Sequence, residues 1–111
     1  MPHAITLKMG DGVKIGICHA EWPGKDWALV DKVLAKHVLR EQMIWGRKRI
    51  RSGRKQIDKT ANLLVHGHTP VRVPMRLGNA LFLDTGCVYN GTLTVMEARQ
   101  ALEYGPARMI A

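Results

Sequence analysis

At 111 residues, 46% hydrophobic and 23% charged, the chain has room for one domain with one modest core and the balance of a globular protein, not a disordered or fibrous one. No apolar run approaches the ~20 residues that span a bilayer, and MPHAITLKMGDG at the start lacks the charged-then-apolar order of a secretory leader, so a cytoplasmic location without a membrane partner is expected. The net charge of +8 is concentrated, because residues 36–59 hold nine Lys or Arg against two acids while the remainder holds eight against seven; such a segment suits polyanions or phosphoryl groups, or serves as a solvated loop.

ITLKM and VKIGIC flank Gly10-Asp11-Gly12, a turn signal between two β-prone runs, which predicts a hairpin over 4–9 and 13–18. HAEWPG (19–24) is a loop punctuated by Pro23 and Gly24. Asp26 is a candidate N-cap, and Val30, Val33, Leu34, His37 and Val38 recur at three- and four-residue spacing, so one helix is predicted from there to Gln42 or Met43. WGRKRIRSGRKQ (45–56) reads as a basic loop with a short helix after it. NLLVH (62–66) reads as a short buried strand, MRLGNALFLD (75–84) as two strands joined at Gly78-Asn79, and residues 92–97 as a final strand. The tail RQALEYGPARMIA (99–111) fits a helical turn and a frayed end equally. The predicted class is a mixed α/β (α+β) chain without internal repeats. Cys18 and Cys87 form neither a C-x-x-C pair nor a zinc-finger spacing, and buried, reduced thiols are expected.

Candidate chemistry gathers at the ends of these strands. In VHGHTPV (65–71), His66 takes the last strand position and His68 lies past the end. Gly67 between them lets the backbone approach a ligand closely, and Pro70 fixes the exit. His19 directly follows the run VKIGIC and also opens a loop. One such histidine is ordinarily a hydrogen-bonded loop residue; two at two strand ends, where open α/β sheets bind ligands, point to a shared metal. Arg47 sits in WGRKRI, with Trp45 and Ile50 as candidate anchors, and its planar fork suits phosphate. Asp84 lies in LFLDTGCVYNG; Asp-Thr-Gly is also the aspartic-protease signature, but only 27 residues follow Asp84. Asp84 is therefore read as a strand-end carboxylate that orients a loop or a metal-ligating imidazole.

Taken in order, GICHAEWPG, IWGRKRI, VHGHTPV and LFLDTGCVYNGTLTVME resemble the calcineurin-like metallophosphoesterases, specifically the bacterial and bacteriophage serine/threonine protein phosphatases of the phage lambda type. The resemblance runs from Val13 to Glu97. It implies the C-terminal half of a β-sandwich flanked by helices, with 1–111 as a single partial domain. It implies His19 and His68 as ligands of one ion of a dinuclear centre, manganese first, with iron and zinc as the alternatives that histidine also accepts. It makes Arg47 a phosphate-binding residue, leaves His66 without a ligand role, and implies in-line attack by a metal-bridging hydroxide on a phosphoprotein or phosphoester substrate. The family's first-half motifs, aspartate-x-histidine, glycine-aspartate-x-x-aspartate-arginine and glycine-asparagine-histidine-glutamate, do not occur in this sequence. The chain alone is thus expected to be inactive, and to associate with itself or with a missing N-terminal half. The competing reading is a non-catalytic module whose residues 36–59 grip nucleic acid or that completes another polypeptide's half-domain.

Overall fold

The computed structural model describes residues 2–104. The first hairpin forms around the expected turn. β1 (Ala4–Lys8) runs antiparallel to β2 (Lys14–Cys18), and Gly12 takes φ 84°, a left-handed value that costs glycine nothing sterically. β3 (Leu63–His66) lies parallel to β2, and β4 (Met75–Leu77) turns at Gly78 into β5 (Ala80–Phe82), which lies parallel to β3. The sheet order is β1-β2-β3-β5-β4: three parallel strands between two antiparallel edges. This is the mixed α/β class that the sequence predicts.

The parallel strands are apolar along their length because both faces are covered. On one face Cys18, Leu64, Ala80 and Phe82 pack with Trp22, Trp27, Met43 and Ala61. On the other, Ile15, Leu63 and Leu81 pack with Ala101. Gly16 admits Trp27 to the sheet, since a Cβ there would lie 2.6 Å from the indole. Asp58, one of the two acids in the basic segment, pins this layer. Its buried carboxylate accepts hydrogen bonds from Trp22 Nε1 (3.0 Å) and from the backbone N–H groups of Trp27 (3.0 Å), Thr60 (3.0 Å) and Ala61 (2.8 Å).

The helical layer departs from the single helix expected over 26–43. Asp26 caps as expected, accepting from the Ala28 N–H at 3.1 Å, but it opens a 3-10 turn (Trp27–Leu29) that passes into α1 (Val30–Leu34). The chain then breaks at Lys36, which is extended at φ −95° and ψ 118°, and restarts as α2 (His37–Trp45). Val30, Val33 and Leu34 pack on the core whereas Val38 is 77% exposed, so the apparent stripe is not one continuous face. α3 (Lys48–Ser52) forms inside the basic segment, not after it.

Residues 92–97, expected as a strand, form none: they connect α4 (Cys87–Asn90) to α5 (Ala98–Glu103), with Leu93 and Val95 exposed. β-propensity alone does not make a strand without a ladder to join. The part of the tail reading that falls on residues 105–111 lies outside the described residues; 98–103 is helical. Both cysteines are free, and Cys87 is exposed, against the expected burial of both. Among the described residues no helix is long and apolar enough to cross a membrane.

Candidate metal centre

The three parallel strands end side by side, and each delivers one candidate residue. His19 directly follows β2, His68 comes two residues after β3, and Asp84 two residues after β5. Backbone hydrogen bonds stitch these loops together: Gly67 N–H to the His19 carbonyl at 2.7 Å, Leu83 N–H to that of His66 at 2.9 Å, and Val71 N–H to that of Asp84 at 2.7 Å. His68 itself sits at φ 64°, the one left-handed non-glycine among the described residues. Backbone strain of this kind, on the order of 1–3 kcal/mol, persists where surrounding contacts over-determine it and clusters at functional sites.

The two imidazoles converge. His68 Nδ1 lies 3.2 Å from His19 Nε2, with ring centroids 4.9 Å apart and planes at 63°. Two nitrogens held at about 2.1 Å from one ion stand about 3.0 Å apart at a right angle and about 3.4 Å at the tetrahedral angle. The observed spacing falls between those values, so the pair fits one divalent cation. The Trp45 ring meets His68 edge-on at 5.6 Å, and the Trp45 backbone acts to raise the His68 pKa. Partial burial, then the nearby His19 and Arg47, hold His68 below the usual histidine range; the Trp45 backbone and Asp84 pull the other way. The neutral, ligating form is thereby favoured.

Arg47, at the N-cap of α3, is exposed and near enough to act on His68; Lys48, Arg54 and Lys55 are also exposed. The expected anchors of its loop are half right. Ile50 packs against the core, but Trp45 is 66% exposed and leans on His68. The firm anchor is Glu21, which sequence reasoning missed. It is fully buried, accepts from Gln42 Nε2 at 2.5 Å and from the Arg49 N–H at 3.0 Å, and a Cβ on Gly46 would lie 2.7 Å from its carboxyl group. Two residues after His19, it thus braces the Trp45–Arg47 turn from both sides. The available signal was an acid set among residues that bury, in HAEWPG.

Asp84 Oδ1 accepts from the Gly86 N–H at 2.9 Å, and its charge raises the pKa of His68. His66 closes β3, is fully buried against Phe82, and places Nδ1 3.2 Å from the Cys18 carbonyl. Burial pushes His66 down to about 4 and, with the Glu21 charge adding, the Cys18 thiol up to about 12. Neither is poised for chemistry near neutral pH. Among the described residues no group of three or more His, Cys, Asp or Glu forms a metal cage.

No family model matches the chain. Among curated proteins it is similar to serine/threonine-protein phosphatase 1 of Salmonella typhimurium, 34% identical over 79 residues that make up 71% of this chain and 34% of that protein. Several of the curated proteins it resembles carry phosphatase names. Serine/threonine-protein phosphatase 2 of Escherichia coli is 25% identical over 97 residues, 85% of this chain and 42% of that protein. The asymmetrical bis(5'-nucleosyl)-tetraphosphatase PrpE of Anoxybacillus flavithermus is 53% identical over 34 residues, 31% of this chain and 14% of that protein. The chain spans less than half the length of each of these relatives.

Proposed function

We propose that this chain is the C-terminal part of a metal-dependent phosphoric monoester hydrolase acting in the cytoplasm on phosphoserine and phosphothreonine. The observation that carries the reading is the 3.2 Å approach of the His19 and His68 nitrogens at the carboxyl ends of adjacent parallel strands. His19 and His68 hold one divalent cation of a dinuclear centre, manganese before iron or zinc. Bound there, the cation supplies positive charge to the phosphoryl oxygens and lowers the pKa of water. Arg47 orients the phosphoryl group through two parallel N–H donors. The Trp45 ring, edge-on to His68, keeps it in register, and Asp84 supports the same loop electrostatically.

Catalytic metal sites typically draw on about three protein ligands per ion, so two imidazoles need further donors from another segment. The chain alone is therefore inactive on this reading. The test is hydrolysis of an aryl phosphate with manganese, by the chain alone and mixed with the N-terminal segment of the Salmonella relative, alongside equilibrium dialysis of the metal. Turnover in the mixture, and metal uptake lost in His68→Ala, are expected. Turnover by the chain alone, or metal uptake indifferent to His19→Ala and His68→Ala, contradicts the reading.

A further inference from the structure

The loop that carries His68 continues as one wall of a groove of about 440 Å³, lined by Ile50 and Arg51 of α3 and by residues 69–73 and Met75. We propose that this groove seats the polypeptide of a phosphoprotein substrate beside its phosphorylated residue, accepting one aliphatic side chain flanked by acidic ones. The inference rests on the phosphoesterase reading and names the substrate class that this site selects.

Position is the first reason. Thr69 immediately follows His68, and the Val71 N–H is fixed to the Asp84 carbonyl, so the groove wall and the metal-facing loop are one rigid piece. The groove therefore begins at the residue that follows His68 in the chain. Lining is the second. Ile50, Val71, Val73 and Met75 make an aliphatic floor, with Val73 56% and Met75 39% exposed. Charge is the third. Arg51 and Arg72 border that floor, and neither has an acidic partner among the described residues. Acidic side chains on a ligand complement them, and such pairs at a groove rim select partners and speed encounter.

Similar proteins include protein phosphatases and a dinucleoside tetraphosphatase, and of these two ligand kinds the groove favours the former. A base is ordinarily gripped by aromatic stacking and by hydrogen bonds to its edges. The lining offers no aromatic ring, and the hydroxyl of Thr69, its one polar side chain besides the arginines, is itself buried. A second copy joined by a two-fold axis through the groove is also disfavoured, because the same arginine-bordered patch would then face itself.

The experiment is fluorescence anisotropy at low salt with the full chain and a labelled phosphoserine peptide bearing one leucine among glutamates. Beside it run its unphosphorylated twin, a leucine-to-serine version, and bis(5'-adenosyl) tetraphosphate as competitor. Val73→Asp and Arg72→Glu should each weaken both leucine peptides roughly tenfold. Replacing the peptide leucine should cost the same, with no further loss on Val73→Asp, since the two changes remove one contact. Arg47→Ala should weaken the phosphorylated peptide alone. Groove dependence without any effect of the phosphate upholds the groove and counts against the phosphoesterase reading. No peptide binding, binding indifferent to Val73→Asp and Arg72→Glu, or competition by the dinucleotide with no role for the leucine overturns the inference. So does a groove substitution that acts only by changing the oligomeric state.

Discussion

Glu21→Ala tests how the phosphate-facing turn is held. The substitution removes a fully buried carboxyl group that accepts from Gln42 Nε2 at 2.5 Å and from the Arg49 N–H at 3.0 Å. Each buried donor left without an acceptor costs about 1–3 kcal/mol, and the space vacated beside Gly46 adds a cavity term. The sum is about 3–5 kcal/mol, a large share of the 5–15 kcal/mol that holds a small domain together. Glu21→Gln keeps the shape: its carbonyl still accepts from Arg49, and Gln42 flips its amide to accept from the new NH₂. That change should cost only about 1 kcal/mol, the charge assistance of the bonds. Urea titration and thermal melting measure both variants, and Glu21→Ala should lower the midpoint by roughly 15 °C. In the reconstituted enzyme, Glu21→Gln should leave KM for an aryl phosphate nearly unchanged, whereas Glu21→Ala, if it folds, should raise it by loosening Arg47. Equal losses from the two variants, or an Ala variant as stable as the parent, refute the brace.

Asp58→Ala strips four hydrogen bonds from the layer that carries Trp22 and Trp27, and should destabilise more than Asp58→Asn, which keeps an acceptor for the three backbone N–H groups but sets an amide donor against Trp22 Nε1; urea midpoints rank the two. His66 is neutral in the fold, with its pKa pushed by burial from 6.5 to about 4, so the unfolded chain binds more protons between those values. Its contribution is intact above about pH 6.5 and is lost as pH falls through about 4, a total of roughly 3 kcal/mol that stability curves of the parent and His66→Gln should separate. Arg47→Ala should weaken inorganic phosphate as a competitive inhibitor of the reconstituted enzyme by tenfold or more, roughly the worth of a bidentate charge-assisted pair, while Lys48→Ala changes it little. Equal losses reduce the segment to diffuse charge.

The strands were legible because period-two and apolar runs bounded by Gly10-Asp11-Gly12 and Gly78-Asn79 leave little choice of turn, and the sheet pairs those runs as read. The two histidines were legible for the same reason: a residue just past a strand is placed by the strand. The break at Lys36 was not, because spacing records which residues recur and not whether the chain changes direction between them. Residues 92–97 alternate like a strand, yet a strand also needs an edge to pair with, and that is a property of the assembled sheet. Glu21 was invisible for a related reason. Its role depends on Gln42, Gly46 and Arg49, more than 20 residues away along the chain.

Paramagnetic broadening tests the shared cation most directly. Manganese added well below one equivalent to the isotopically labelled chain erases amide signals in proportion to their closeness to the ion. The account predicts loss centred on His19 and His68, extending to Trp45, Gly67 and Asp84, sparing β1 and α5, and abolished in His68→Ala. Uniform broadening, loss centred on another part of the surface, or an unchanged pattern in His68→Ala contradicts it.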